Sequence, residues 1–508
     1  MFLRRKPNKS GTVSVQVVEK CDGKYVVLQS FGASGTEDGI RRLESKAQTW
    51  MDKRRGPQLP LWQERDEVVE EFVGGLSNGQ LQVIGPELVY GTLYDHIGYG
   101  RLDNELFRDV VICRLFNPGS KIKTTDYLER YLHVRVSTDR IYRMLDNLVR
   151  PEGGFKQDVE RISFDYTKKI AGDRITVVFY DMTTLYFEAS DEDDLRRCGF
   201  SKDGKHSCPQ IFLGLLVTTG GNPIGYEIFE GNIFEGHTLI PVIERLAARF
   251  GFSHPIIVAD AGLLSKSNLK ELEARGYKYI LGARPKNESQ KIKDKILGLK
   301  LGYGQIKVIR RDKDTRLIVS MSEKRAVKDA RNRRLGLARL EKRLGSGKLT
   351  KSSINNKGYN RYLEMHGDVT IRINYDKFNA DAAWDGIKAY VTNTSLPKRQ
   401  ILANYSNLWF IERAFRMNKT DLRIRPIYHR LRNRIEGHIC ICFTAYTIML
   451  ELERRLKAAN SGITLERARE ITKTMYRLRF RLPDSGQERH VVLGMTEEQQ
   501  LLVKLTQI

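Results

Sequence analysis

Apolar residues recur at two different spacings along this chain, and the spacings separate strand-forming from helical regions. Residues 12–31 alternate apolar and polar side chains on both sides of a Cys-Asp-Gly turn, which predicts a β-hairpin. A polar helix is expected from about Glu37 to Lys53, before a proline-rich break in the sequence GPQLPLW. From about Asn78 to Lys169 the apolar residues recur at three and four positions, which is typical of amphipathic helices.

The pattern changes again near residue 171, where β-branched and aromatic residues dominate. The sequences RITVVFYDMTTLYFE, QIFLGLLVTTGGNPIGYEIFEGN and HPIIVADAGLLS predict four strands, and YKYILGARPK predicts a fifth. A helix is expected from about Thr238 to Phe250, before the fourth strand. The resulting β-β-β-α-β-α-β-α order matches an α/β, ribonuclease-H-like fold, a mixed sheet whose first three strands are antiparallel and whose later strands are parallel.

Two aspartates occupy notable positions in these strands. Asp181 lies inside a strand that is apolar on both faces, where an unpaired charge is costly, so we expect it at an open edge where it coordinates a ligand. Asp260 lies at the carboxyl end of the fourth strand, the position where α/β sheets bind ligands. The alternatives are a turn or capping role for Asp181, and for Asp260 the N-cap of a helix that begins near Ser265.

A third acidic candidate lies in the stretch from Tyr405 to His429. Its apolar residues have helical spacing, at Leu408, Ile411, Phe415 and Leu422. This spacing predicts a helix with one buried face, while Glu412 and Lys419, two turns apart, share another face. The surrounding cations are Arg413, Arg416, Arg423 and Arg425. Alone, this pattern fits a solvated amphipathic helix as well as a site for a metal-bound polyanion.

Charge indicates the class of partner. The 508 residues include 86 Lys and Arg against 62 Asp and Glu, a formal charge of +24, which attracts nucleic acid or anionic membranes. We find neither an apolar run of about 18 residues nor the apolar core of a signal peptide near the N-terminus. Nucleic acid is therefore the favoured partner, and the cytoplasm is the expected compartment.

Three further sequence features leave alternatives open. Two helices joined at HVRVST form a candidate helix-turn-helix with Arg140 and Arg143 facing DNA, although a plain helical bundle fits equally well. The basic helix EKRAVKDARNRRLGLARLEKRL suits either a solvated face or a phosphate-contacting surface. His438, Cys440 and Cys442 invite a metal interpretation, but their apolar surroundings favour core packing.

Three carboxylates that meet at one edge of a sheet suit hard divalent ions such as Mg²⁺ or Mn²⁺. Two such ions about 4 Å apart activate a water or a 3′-hydroxyl and stabilise the leaving oxygen in phosphodiester transfer. The excess of basic residues would then bind the DNA on which the metals act.

On these segments the chain resembles bacterial insertion-sequence DDE transposases of the IS-four type, and within that type the sixteen-thirty-four branch. The matching sequences are VVFYDMTTLYFE, GNPIGYEIFEGNIFEGHTL, PIIVADAGLLS and the stretch from Tyr405. The resemblance implies that Asp181, Asp260 and Glu412 are the catalytic, metal-binding carboxylates. The family signature Tyr-x2-Arg-x3-Glu-x6-Lys falls on Tyr405, Glu412 and Lys419, but Leu408 replaces the arginine.

The same resemblance implies cut-and-paste transposition by a homodimer that binds double-stranded DNA at terminal inverted repeats. Lys419 would bind a backbone phosphate near the scissile bond, with Tyr405 supporting the strand. The phosphate contact missing at Leu408 would come from Arg413 or Arg416, and Arg423 and Arg425 are further DNA-binding candidates.

The predicted organisation has six segments. They are an N-terminal β-hairpin and helix (1–60), a helical DNA-binding or dimerisation region (61–170), the first part of the catalytic core (171–285), a β-rich insertion (286–384), the second part of the core (385–457) and a helical tail (458–508). A DNA-binding regulator of transposition without catalysis and a structure-selective nuclease are the rival functions. Glu436 and Glu230 are the rival third carboxylates.

Overall fold

The chain divides into two compact units, Met1–Gln80 with Phe480–Glu488 and Leu81–Arg479 with Arg489–Ile508. The structure is a computed structural model. It describes residues 1–21, 23–55, 65–149, 154–172, 175–199, 204, 207–251, 254–263, 265–347, 349–355, 358–366, 370–482 and 485–507. The predicted proline-rich break lies outside the described residues, and the finer division into six segments stays a prediction.

The first unit contains a small antiparallel sheet and two helices. Its elements are β1 (Phe2–Pro7), β2 (Val13–Cys21), β3 (Lys24–Ser34), α1 (Glu37–Arg55) and α2 (Arg65–Gly74). The predicted hairpin is confirmed as β2 and β3, and β1 adds a strand that the alternation had not indicated. Apolar residues of β2 pack against one face of α1, which closes a separate small core.

The second unit begins with helices. Its first elements are β4 (Leu81–Val83), α3 (Thr92–Ile97), α4 (Glu105–Phe116), α5 (Lys121–Leu132), α6 (Thr138–Leu148) and α7 (Phe155–Ile170). Ser120 and Ser137 cap α5 and α6 through their side chains, which explains where these helices begin. The predicted helical region is confirmed, and Arg140 and Arg143 lie exposed on α6.

The predicted mixed sheet follows. Its elements are β5 (Val177–Tyr186), β6 (Gln210–Thr218), β7 (Pro223–Glu230), α8 (Leu239–Phe250), β8 (Ile256–Ala259), α9 (Lys266–Ala274), β9 (Lys278–Ala283) and α10 (Gln290–Gly298). β5, β6 and β7 are antiparallel neighbours, and β8 and β9 run parallel to β5. The spatial order β7-β6-β5-β8-β9 confirms both the predicted element order and the predicted strand directions.

Residues 286–384, predicted to be a β-rich insertion, contain both strands and helices, and their assignment as an insertion stays a prediction. The elements after α10 are β10 (Ile306–Arg310), β11 (Arg316–Met321), α11 (Glu323–Gly345), β12 (Leu363–His366), β13 (Thr370–Ile373), α12 (Tyr375–Ala380) and β14 (Ile387–Thr392). β14 pairs with β9, β11 with β14 and β10 with β11, so β14 and the two longer strands of the segment extend the main sheet from five strands to eight. The longest element is a helix, α11, whose leucine face packs against β12, β13 and α12 in a separate core.

The last elements of the chain are five helices and two strands. They are α13 (Lys398–Ser406), α14 (Trp409–Thr420), α15 (Arg432–Ala458), α16 (Leu465–Thr472), β15 (Tyr476–Arg481), β16 (Glu488–Val492) and α17 (Glu497–Gln507). One face of the sheet packs against α14, α15 and the helical region, and the other packs against α8 and α9. His438, Cys440 and Cys442 lie buried in α15, so the prediction that they pack in the core is confirmed.

Among the described residues, α15 is also the one helix with the length and hydropathy of a membrane-spanning segment. Its most apolar window is 94% buried inside the protein. Because the core helix of a soluble protein meets the same criteria, this is weak evidence for a membrane span.

Candidate active site

Asp181 and Asp260 lie side by side on neighbouring strands. In the parallel pair of β5 and β8, Tyr180 is opposite Ala259, and the two aspartates are the next residues on each chain. Paired strands are about 4.8 Å apart, so the backbones of the two aspartates are neighbours. β8 ends at Ala259, whereas Asp181 still pairs with Leu215 of β6 on its other side, so its expected place at an open edge stays a prediction. Asp181 is half-buried and Asp260 is exposed.

The helix that carries Glu412 covers the face of the sheet to which Asp181 belongs. Phe179, two residues before Asp181 and therefore on the same face of β5, packs in one core with Ile411 and Phe415 of α14. α14 also packs against β5 and β6. The three predicted carboxylates thus come from three separate segments, β5, the end of β8 and α14, of which α14 packs on β5.

α14 has one buried face and one solvent-facing face, as the spacing of its residues predicts. Its buried residues are Ile411, Ala414, Phe415, Met417 and Asn418. Glu412 and Arg416 are exposed and Lys419 is half-buried, so these three side chains share the outer face.

The helix predicted from the spacing of Leu408, Ile411, Phe415 and Leu422 is shorter than expected, because Leu408 and Leu422 lie just outside α14. Tyr405 lies on α13, which ends at Ser406, and the backbone N–H of the next residue, Asn407, donates to the carbonyl groups of Ala403 and Asn404. Leu408 then packs into the core at 9% exposure before α14 begins, and Leu422 is buried after α14 has ended. Leu408 is therefore a core residue at the point where the chain passes from one helix to the next.

Tyr405 is held against Asp260 by two residues that the sequence analysis did not select. Its phenol donates a hydrogen bond to Asp260 Oδ1 at 3.1 Å, and its ring packs on Tyr390 with 4.5 Å between centroids. A Cβ atom on Gly282 would lie 2.4 Å from the Tyr405 oxygen, so this approach requires glycine. The sequence feature that could have indicated this contact is Gly282 itself, because a glycine inside a strand often marks the close approach of another chain segment.

The phenol of Tyr405 stays protonated and can act as a donor. Burial raises its pKa most, and the negative charge of Asp260 and its hydrogen bond raise it further. Glu412 also raises the pKa of Tyr405, which means that both carboxylates act on the same phenol.

The predicted DNA-binding arginines separate into two groups. Arg413 turns inward and forms an ion pair with Glu453 of α15, both side chains being 16% exposed. Arg416 and Arg423 are exposed, and the Arg425 guanidinium lies 5.5 Å from the Tyr186 ring. Arg416 is therefore the predicted cation that shares the solvent-facing side of α14 with Glu412 and Lys419.

The rival third carboxylates have other environments. Glu436 is 13% exposed and pairs with Arg432, one turn earlier on α15, at 3.0 Å. Glu230 lies at the exposed end of β7, which β6 separates from β5. Neither residue lies on the helix that carries the Glu-Lys spacing.

Carboxylate oxygens are suitable ligands for Mg²⁺ and Mn²⁺, and Asp181 and Asp260 supply them at adjacent positions. Within the described part of the chain, however, no group of three or more His, Cys, Asp or Glu side chains is close enough together to hold a metal ion. The donor chemistry fits the predicted ions, but Glu412 does not complete a metal-binding group with the aspartates in this conformation.

A cavity of about 590 Å³ adjoins this site. Asp260, Gly282, Tyr390 and Tyr405 line one side of it. The cationic residues on its walls are Arg284, Lys286, Arg325, Arg333, Arg361 and Lys388. Acidic partners neutralise several of these, as in the pairs of Arg333 with Asp385 and Lys286 with Asp381, but no described carboxylate pairs with Arg284 or Lys388.

Comparisons with known proteins agree with this picture. Residues 173–448, more than half of the chain, match the family model described as "Transposase DDE domain". No curated protein sequence matches the chain.

Three solved structures show low similarity to this chain. A piggyBac transposase synaptic complex with hairpin DNA is 12% identical, with 76% of each chain covered and a TM-score of 0.39. A Mos1 transposase paired-end complex with the left transposon end is 12% identical over 34% of this chain and 57% of that one, with a TM-score of 0.16. A Mos1 mariner paired-end complex with Mn is 11% identical over 48% and 71%, with a TM-score of 0.15. Scores this low add no support for a shared mechanism.

Proposed function

This chain belongs to the transposase DDE domain family, and we propose that it cuts and joins DNA at the ends of an insertion sequence. Asp181, Asp260 and Glu412 are the proposed catalytic residues. The observation that carries this assignment is the register of β5 and β8, which makes Asp181 and Asp260 neighbours beneath the helix that carries Glu412. The strand order β7-β6-β5-β8-β9, with its first three strands antiparallel, supports a ribonuclease-H-like core.

The proposed cofactor is Mg²⁺ or Mn²⁺, two ions bound by the same three carboxylates. When bound, such ions activate a water or a 3′-hydroxyl and stabilise the leaving oxygen. Because Glu412 does not form a metal-binding group with the aspartates in the structure, the proposal requires Glu412 to approach them when DNA binds.

The other residues of the site are proposed to bind DNA or to orient the catalytic carboxylates. The Tyr405 phenol fixes the orientation of the Asp260 carboxylate through their hydrogen bond. Lys419 and Arg416, on the face of α14 that carries Glu412, are assigned to backbone phosphates. Arg413 contributes differently, because its pair with Glu453 holds α14 against α15.

The proposed partners are the inverted repeats at the transposon ends and a target duplex, bound by two protomers in the bacterial cytoplasm. We propose that the chain belongs to the sixteen-thirty-four branch of the IS-four type. Leu408 departs from the signature of that type, which has arginine at this position. The net charge of +24 suits a protein that must hold several DNA segments.

The decisive experiment incubates the purified protein and Mg²⁺ with duplexes that carry the inverted repeats flanking the gene. We expect nicking followed by strand transfer, and Asp181→Ala should abolish both while leaving binding intact. Glu436→Gln is the matched control and should remain active. Binding without cleavage by the wild type would favour the regulator, and cleavage of junctions without joining would favour the nuclease.

A further inference from the structure

One face of α11 carries an unusual concentration of positive charge. At 100° per residue, five cations fall within about 80° of the helix surface. These are Lys324, Lys328, Arg331, Arg339 and Lys342, all exposed, and together they are called the α11 stripe.

The α11 stripe faces solvent because the opposite side of the helix is anchored. Leu340 is 2% exposed in the local core. A Cβ atom on Gly336 would lie 2.3 Å from the Tyr359 ring, so the helix is packed closely at this point. The orientation of the stripe is therefore fixed by packing.

The acidic residues of α11 lie off the stripe and do not neutralise it. Asp329 pairs with Arg325 at 3.3 Å, and Glu341 accepts a hydrogen bond from the Tyr375 hydroxyl at 3.0 Å. No carboxylate in the described ranges forms an ion pair with any residue of the stripe. A merely solvated helix face usually mixes charges of both signs, whereas this one carries five cations, the exposed Leu335 and no carboxylate.

The same helix reaches the candidate active site. Arg325 and Arg333, which lie about 40° and about 120° beyond the edge of the stripe around the helix, line the cavity that Asp260 and Tyr405 also line. From Lys324 to Lys342 the stripe is about 27 Å long, which corresponds to about eight base pairs of duplex DNA. The stripe is therefore long enough to follow a phosphate backbone leading to or from Asp260.

We propose that the α11 stripe binds the phosphate backbone of the duplex whose strand is cut at Asp260. The inference rests on the proposed function and deepens it by naming a surface that holds the substrate. Contacts of this kind are independent of base sequence and depend strongly on salt.

The first test measures the affinity for a fluorescent, non-cognate duplex at a series of salt concentrations. The variant Lys324→Gln/Lys328→Gln/Arg331→Gln keeps good helix formers on α11. It should flatten the slope of log K against log salt by about 2.7, at about 0.9 for each lost phosphate contact. The matched control Lys270→Gln/Lys278→Gln/Lys313→Gln removes the same charge from exposed positions on α9, at the start of β9 and between β10 and β11. The control should leave the slope unchanged.

The second test uses the wild-type chain and does not depend on variant folding. The duplex should protect Lys324, Lys328 and Lys342 from acetylation, measured by mass spectrometry, and leave Lys270, Lys278 and Lys313 reactive. Equal slopes for the two triple variants, or equal protection of the two lysine sets, would overturn the inference. If cleavage of the inverted repeats fails while the stripe lysines are protected, the proposed catalysis fails and the binding surface stands.

Discussion

Tyr405 donates a hydrogen bond to Asp260 Oδ1 across 3.1 Å, although the two residues are 145 positions apart in the chain. A carboxylate that binds a metal is usually oriented by a neighbour of this kind, and loss of such a neighbour costs about 10- to 100-fold in activity or metal affinity. Tyr405→Phe keeps the ring packed on Tyr390 and removes only the donor. We expect kcat for cleavage to fall within that range, with little change in melting temperature.

The same Tyr405→Phe variant separates orientation of Asp260 from DNA binding. Mn²⁺ affinity, followed by electron paramagnetic resonance, should weaken, while the Kd for duplex DNA should not change. Weaker DNA binding with unchanged Mn²⁺ affinity would instead assign Tyr405 to the DNA strand.

The contact between Tyr405 and Asp260 also depends on Gly282, which leaves room for the Tyr405 phenol. In Gly282→Ala the new methyl group would lie 2.4 Å from the Tyr405 oxygen and 2.9 Å from the Ala261 nitrogen, so Tyr405 must move. We expect a loss of about 1–3 kcal/mol in the free energy of unfolding, together with reduced cleavage. Gly298→Ala, where a Cβ meets nothing within 4 Å, is the control and should be neutral in denaturant titrations. An active, fully stable Gly282→Ala would show that the contact is not needed.

Leu408 stands where the family signature has arginine. Because Leu408 is only 9% exposed among apolar residues, Leu408→Arg should destabilise the fold by about 2–4 kcal/mol and should not increase activity. Ser406→Arg, at an exposed position two residues earlier, should change stability by less than about 0.5 kcal/mol. Thermal unfolding measures both. A stable and more active Leu408→Arg variant would contradict the core role of Leu408 and would indicate that an arginine at this position can contact DNA.

Arg413 and Arg416 should respond in opposite ways to the same substitution. Arg413→Gln breaks the half-buried pair with Glu453, which keeps a contact to Lys457 at 2.8 Å, and should cost about 1–3 kcal/mol of stability. Arg416→Gln should leave stability unchanged and flatten the salt dependence of DNA binding by about 0.9. The reverse pattern in denaturation and binding data would exchange the two roles.

A group of basic side chains is buried between α4, α5 and α15. Burial, followed by the Arg114 guanidinium, lowers the pKa of Lys121 from 10.5 to about 7. Burial, followed by Lys121, lowers the pKa of His429 to about 3, and the same two causes hold the pKa of His438 well below 6.5. Asp146 faces His429 and opposes part of this effect.

These shifts make folding stability depend on pH. Between about pH 7 and 10.5 the unfolded chain keeps a proton on Lys121 that the folded chain has released, so the free energy of unfolding rises with pH in that window. His429 and His438 produce the same rise below pH 6.5. Denaturant titrations should therefore give lower stability at pH 5 than at pH 9.

Lys121→Met should raise stability at pH 7 and remove the rise above that pH. Lys123→Met, at an exposed position on the same helix, should have neither effect. Equal stability of the wild type at both pH values would contradict the assignment of buried, neutral side chains.

Local patterns were sufficient to predict the strands that carry Asp181 and Asp260 and the face of α14 that carries Glu412. Each of these depends on spacing within one short segment. The partners of Tyr405 and Arg413 could not be predicted, because Gly282, Tyr390 and Glu453 meet them only through tertiary packing. The extension of the main sheet could not be predicted for a related reason, because the pairing of β11 with β14 and of β10 with β11 joins strands whose sequences do not encode their partners locally.

The extension of the main sheet has a mechanical consequence. β11 pairs with β14 along six residue pairs, β14 pairs with β9 along four, and β9 lies beside β8, the strand that ends before Asp260. α11 follows β11 directly, so its position relative to Asp260 is set by backbone hydrogen bonds across three strand pairs rather than by a hinge. Under the proposed function, α11 therefore fixes the distance between the bound DNA backbone and the cleavage site at Asp260. The number of nucleotides between the backbone contact and the cut would then be a constant of the fold.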